Sequence, residues 1–246
     1  MARCNRLGII LDASHASDRV FDQLLEISRA PIVLSHSGCR DVYNHPRNLS
    51  DERLRKLAAK GGVIQVCAYG TYVAAIERAP ERDAAHYQLL ARSGGFDVFQ
   101  SAGTFAAFQK ERHVIEARFP QRYAPFERYI AHVLHALEVA GVDHVGISGD
   151  FDGGGGVEGF LDASAYPHIT ARLLAAGYTE ADLAKIWSGN LLRVFREVEA
   201  VARSGQQTAS SHPGAAAACE TEVTFLSPSN RFEPRSACSD LCYITA

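Results

Sequence analysis

Three apolar runs constrain this chain more than any other feature: each ends in residues capable of chemistry, and each is separated from the next by stretches of helical periodicity. Gly8-Ile9-Ile10-Leu11 gives way to Asp12-Ala13-Ser14-His15, Pro31-Ile32-Val33-Leu34 to Ser35-His36-Ser37, and Val145-Gly146-Ile147-Ser148 to Gly149-Asp150. Short apolar runs alternating with amphipathic helical stretches are the signature of βα units on a parallel sheet. In such folds reactive groups gather at the carboxyl ends of the strands.

The intervals carry helix punctuation. Ser17 is a predicted N-cap, and Val20, Phe21, Leu24 and Leu25 share one face before Pro31 ends the helix. Ser50 opens a second helix with Asp51 and Glu52 in its first turn and Gly61 just past its end. Gly62 to Tyr69 reads as a further strand. Pro125 opens a helix with Tyr129, Ile130, Val133, Leu134 and Leu137 inward, ended by Gly141. His144 to Ser148 is the last predicted strand, followed by helices at Tyr166–Ala176, Thr179–Trp187 and Leu191–Ala202.

The predicted fold is therefore α/β, a partial (βα)8 barrel with about four βα units, where a closed barrel has eight. Residues 1–203 form this unit, with a helical insertion at about 73–124, and 204–246 reads as a low-complexity or disordered tail. The N-terminal residues are expected to lead straight into the first strand. An open half-barrel exposes sheet edges, which favours a homo-oligomer.

Composition excludes several classes. The formal net charge is −3 and no Lys/Arg-rich run is present, which gives no support for nucleic-acid binding. No segment has the length and apolarity of a membrane span or signal peptide, so the expected location is cytoplasmic. The six cysteines form no CxxC pair; Cys39 and Cys67 are expected to be reduced and partly buried.

Imidazole nitrogen is a good zinc ligand, and adjacent strand ends can aim two of them at one point. His15 and His36 lie one βα repeat apart. Either alone would be read as satisfying loop backbone; together with Asp150 at a third strand end they read as a site. From the residues alone, Arg47 in His45-Pro46-Arg47-Asn48 reads as an exposed loop residue, and Tyr69 and Tyr72 as buried or rim side chains. His132 and His135 are read as a solvated helix face. The Asp150-x-Asp152-Gly153 motif and the glycine run that follows are not read as a phosphate cradle, because no suitable helix follows.

Taken together, Asp12-x-Ser14-His15, Pro31-Ile32-Val33-x-Ser35-His36-Ser37, His45-Pro46-Arg47-Asn48, Gly61-Gly62-Val63-Ile64, His144 to Gly153 and Gly189-Asn190-Leu191-Leu192-Arg193 resemble successive motifs of the membrane (renal-type) dipeptidases, the M19 metallopeptidases. The resemblance spans about residues 7–200 and implies strands 5–8 of the barrel. It implies that His15 and His36 hold one zinc of a binuclear pair, that Arg47 pairs with the carboxylate of a dipeptide substrate, that Tyr72 lines the pocket, and that Asp150 is the acid/base. The family's His-x-Asp pair, its bridging Glu and a further substrate-contacting histidine have no counterpart in these 246 residues. Two functions follow: a zinc-dependent dipeptidase, inactive if the missing ligands are essential, or a non-catalytic half-barrel that binds a metal or a protein partner.

Overall fold

The computed structural model describes residues 2–77 and 79–210. Helix α1 (Ala2–Leu7) precedes the first apolar run, α2 (Asp18–Ile27) follows it, and the chain then enters strand β1 (Val33–Ser37). Next come α3 (Asp51–Ala59), β2 (Val63–Cys67) and the short α4 (Gly70–Val73). The insertion folds as α5 (Pro80–Arg92), a 3-10 turn at Gly95–Gln100 and α6 (Ala102–Arg118). Helix α7 (Phe126–Ala140) leads to β3 (Val145–Ser148), and α8 (Tyr166–Ala175), α9 (Glu180–Ala184), a π turn (Lys185–Gly189) and α10 (Asn190–Ser210) complete the described chain.

The three strands are parallel, in the order β1-β2-β3. Of the four expected strands, the first is therefore not a strand. Its apolar run contributes a single parallel bridge, Asp12 to Val33, closed by Val33 N–H to Leu11 O at 2.9 Å and Ala13 N–H to Val33 O at 2.8 Å. The physical reason is its position at the flank: the run has one neighbour, and Ile9 is half-exposed. The N-terminal residues also differ from expectation, forming α1 rather than running directly into a strand. This helix packs on α10, and Asn5 anchors it by accepting from Arg29 N–H at 3.1 Å.

Local chemistry accounts for most boundaries. Ser17 caps α2 by accepting from Val20 N–H. Helix α3 ends in paired reverse bonds, Gly62 N–H to Leu57 O and Gly61 N–H to Ala58 O, both 2.9 Å, with Gly61 at φ +73°. That is a Schellman closure, which glycine accommodates without a Cβ penalty. Thr179 and Asp182 form a reciprocal capping box on α9. Helix α10 continues to Ser210, past the Ala202 end expected of it, so the backbone of 204–210 is helical; the rest of the 204–246 segment, with Cys219, Cys238 and Cys242, lies outside the described residues. No described helix is long and apolar enough to cross a membrane.

The main core lies between the sheet and α3, α7 and α8, with Leu54, Leu57, Ile64, Val66, Tyr129, Ile130, Val133 and Ile169 essentially inaccessible. Burial on this scale contributes roughly 1.5–3 kcal/mol per large side chain. Val33 and Val63 join Val194 and Val198 in a smaller second cluster, so α10 covers another part of the sheet. A helix on each side leaves the strand ends as the open part of the layer.

Candidate functional site

The β2 and β3 ladders run in step from Ile64↔Val145 to Cys67↔Ser148. The β1–β2 register does not: Leu34 pairs with Ile64, but Ser37 pairs with Val66. An extra residue is therefore accommodated at Ser35-His36. Such bulges re-aim side chains and are common beside active sites. Here the irregularity falls on the histidine expected to be a ligand.

The structure brings His15 and His36 together, with Nε2 atoms 2.8 Å apart and ring centroids separated by 4.8 Å. His15 is exposed as a residue, but partial desolvation of its ring, followed by the nearby charges of Arg47 and His36, holds the imidazole below its ordinary pKa, while Asp12 and Asp150 oppose the shift. The neutral form this favours is the one that offers a lone pair to a cation.

A carboxylate and two hydroxyls support the pair. Asp12 Oδ1 accepts from Ser14 N–H at 2.9 Å, Ser14 Oγ–H at 2.6 Å and Ser35 N–H at 3.1 Å, while Oδ2 accepts from Ser35 Oγ–H. Ser35 Oγ lies 2.8 Å from His36 Nδ1, and Ser14 Oγ accepts from His36 N–H at 3.1 Å. Burial alone would raise the Asp12 pKa, but the bonds from Ser14 and Ser35 outweigh it and hold the carboxyl below its usual range. From the sequence alone Asp12, Ser14 and Ser35 carry no role; the signal that marks them is the short polar side chains close in sequence to both histidines.

Arg47 is delivered by a loop that folds back on itself. Leu49 N–H donates to Gly38 O at 2.9 Å, Arg40 N–H donates to Leu49 O at 2.8 Å, and Ser37 Oγ–H donates to Arg47 O at 2.8 Å. The guanidinium donates from Nε to Ser14 O at 3.2 Å and from Nη1 to the Tyr72 hydroxyl at 3.1 Å, and it lies 5.0 Å from the centre of the Tyr72 ring. Its Nη2 is buried without a partner, a donor left for an incoming acceptor. Buried Asn48, also missed as a functional residue, ties this loop to α4 by donating to Tyr72 O at 2.7 Å and Tyr43 O at 2.9 Å. Tyr69, Tyr72 and His45 form a continuous aromatic wall, with centroid separations of 4.5 and 4.7 Å.

Asp150 follows β3 at the same end of the sheet and is the one described non-glycine residue with positive φ, at +47°. A short polar side chain tolerates this left-handed backbone better than most. Gly155 N–H donates to its carbonyl at 2.9 Å, and the Cys67 thiol lies 3.5 Å from its Oδ2. Burial, reinforced by the Asp150 charge, pushes the Cys67 thiol pKa up. Among the described residues Cys4, Cys39 and Cys67 form no disulfide, and Cys67 and Cys39 are buried more fully than expected.

The expectation for His132 is corrected. It is buried, not solvated: Nδ1 accepts from Cys39 N–H at 3.0 Å and Nε2 lies 3.1 Å from Val73 O. Its neighbour His135 pairs with Asp51 at 2.6 Å. Both are structural, and the helix pattern concealed this because α3 and α4 pack on that side of α7.

As a metal site, the chain supplies the right donor chemistry in His15 and His36, but a short donor set. Among the described residues, no group of three or more His, Cys, Asp and Glu could hold a metal ion. The insertion lines two clefts, neither of which includes His15, His36, Arg47 or Asp150 in its lining. A cleft of about 540 Å³ lies between Tyr69, Gly154–Gly156, Arg82 and Arg122, and a larger one of about 840 Å³ runs from Asp152 to Phe99, Phe105 and Phe108.

The family model "Membrane dipeptidase (Peptidase family M19)" matches residues 1–209. Dipeptidase 3 of Mus musculus is 32% identical over 198 residues, covering 80% of this chain and 31% of its own length. An uncharacterized dipeptidase of Schizosaccharomyces pombe is 30% identical over 200 residues, covering 80% and 38%. Among solved structures, the probable dipeptidase PvdM from Pseudomonas aeruginosa aligns at 33% identity and a TM-score of 0.60, covering 81% of this chain and 53% of that one. A metallo peptidase from Rhodobacter sphaeroides, liganded with a phosphinate mimic of the dipeptide L-Ala-D-Ala, aligns at 25% identity and a TM-score of 0.57, covering 80% and 44%. The chain thus spans about a third of the length of these curated relatives.

Proposed function

The chain belongs to the membrane dipeptidase family, peptidase family M19, and from that premise we propose that it provides the His15–His36 half of a zinc-dependent dipeptidase site, on a fold equivalent to strands 5–8 of a (βα)8 barrel. The observation that carries the reading is the convergence of the two Nε2 atoms beside a guanidinium with a buried, unpartnered N–H. His15 and His36 would hold the cation, which when bound supplies Lewis acidity and makes water a usable nucleophile near neutral pH. Arg47 binds the substrate's terminal carboxylate through Nη2, while Tyr72 and Ser14 O hold the rest of the fork in place. Asp150 would be the acid/base, holding a proton given up by the attacking water and supplying one to the departing amine.

The test is turnover of a dipeptide panel by the zinc-loaded chain. L-Ala-D-Ala comes first, because its phosphinate mimic is the ligand of the Rhodobacter relative. Turnover is expected above a His36→Ala control; a rate equal to that control overturns intrinsic activity. A second reading, a non-catalytic half-barrel that binds a metal or a partner, draws support from the two-donor set among the described residues. Zinc binding without turnover would favour it. The exposed flank at Leu7 and Ile9 supports self-association, which light scattering reads. A cytoplasmic location is proposed as well, and cell fractionation reads it.

A further inference from the structure

We infer that Asp12 and Ser35 act as positioning residues that fix the proton of His36 on Nδ1, so that its Nε2 is held as a lone pair facing His15 before any cation arrives. The inference rests on the proposed metal role of the two histidines, but its core is a count of protons. Asp12 collects four hydrogen bonds, one from each hydroxyl and one from each backbone N–H of Ser14 and Ser35. A carboxylate in that position can only accept. The single hydroxyl proton of Ser35 is therefore directed to Asp12, and the single hydroxyl proton of Ser14 likewise.

With both hydroxyl protons directed to Asp12, Ser14 Oγ and Ser35 Oγ, 3.3 Å apart, have none to give each other, and Ser35 Oγ can only accept from His36 Nδ1, 2.8 Å away. His36 must then carry its proton on Nδ1. The same logic applies to Ser14 Oγ, which accepts from the His36 backbone N–H at 3.1 Å and so pins main chain and ring together. The 2.8 Å contact between the two Nε2 atoms then has one direction: His15 donates and His36 accepts.

The histidines are thus unequal. His36 is preset for coordination, whereas exposed His15 holds its proton on Nε2 and must move it to Nδ1 before binding. A ligating histidine normally hands its second N–H to an acceptor that fixes its tautomer, and loss of such an acceptor costs about 10–100-fold in metal affinity. Here the acceptor is a hydroxyl oriented by a carboxylate reaching across from the end of the neighbouring apolar run.

The experiment is long-range ¹H–¹⁵N spectroscopy of the metal-free full chain labelled at histidine, followed by zinc titration. Opposite tautomers are expected, Nδ1–H for His36 and Nε2–H for His15. Ser35→Ala should shift His36 towards Nε2–H and weaken zinc binding about 10–100-fold, and Ser35→Thr, which keeps the hydroxyl, should restore both. Asp12→Asn should act in the same direction as Ser35→Ala, and the Ser35 pair decides the matter if that variant does not fold. A wild-type His36 protonated on Nε2, or a Ser35→Ala variant with unchanged tautomer and affinity, overturns the inference. A wild-type chain with the expected tautomers that binds no zinc upholds the proton arrangement and removes the metal reading instead.

Discussion

At the scale of single residues, Arg47 and His132 make opposite demands on their surroundings. Arg47 has two of its three nitrogens engaged and one buried without a partner. Replacing it with Ala should raise KM for dipeptides about 10–100-fold, the worth of a charge-assisted bond, with a smaller effect on kcat. Lysine should not rescue it, because a point charge cannot reproduce the fork. His132 uses both ring nitrogens while neutral, and burial holds its pKa down at about 4. The unfolded chain, with an ordinary pKa near 6.5, binds this proton first on acidification. The contribution of His132 is thus complete above about pH 6.5 and is lost as pH falls towards 4, amounting to about 3 kcal/mol. Urea unfolding from pH 7 to pH 4 should show this slope, flattened in His132→Gln. The sequence singles out His15, His36 and Asp150 because each ends an apolar run and Arg47 because it stands in a motif, while Tyr72 enters only through the family resemblance. The roles of Asp12, Ser35 and Asn48 were not legible, since they depend on which atoms meet across strands.

Between elements, the determining feature is how closely backbones approach. A Cβ on Gly70, at the start of α4, would strike the Gly156 carbonyl in the loop that follows Asp150. Gly70 N–H also donates to Gly155 O at 2.8 Å. Gly70→Ala should therefore displace the Asp150 loop from Tyr69 and Tyr72, lowering kcat while zinc affinity stays near wild type, at a stability cost of about 1–3 kcal/mol. Comparing turnover with metal titration separates the two effects. Helix positions were legible from periodicity and caps, as at Ser17, Gly61 and Thr179. The bulge at Ser35-His36 was not, because register is a property of two strands and one sequence segment shows only its own alternation.

For the molecule as a whole, the parallel sheet and its flanking helices followed from the alternation of apolar runs. What that alternation could not show was that the first run would pair through one bridge alone, for its apolar residues look like those of the other strands. That bridge has a dynamic consequence. Amide deuterium uptake should be slowest at Ile64–Val66, which has strands on both sides, and fastest around Ile9–Leu11. His15 rides on the quickly exchanging flank and His36 on β1, and the two segments are joined by one bridge and by the bonds of Asp12 and Ser14 to Ser35 and the His36 N–H. A cation shared between the two imidazoles would add a further tie between these segments, and zinc should slow exchange at Leu11 and Ala13 more than at the sheet centre.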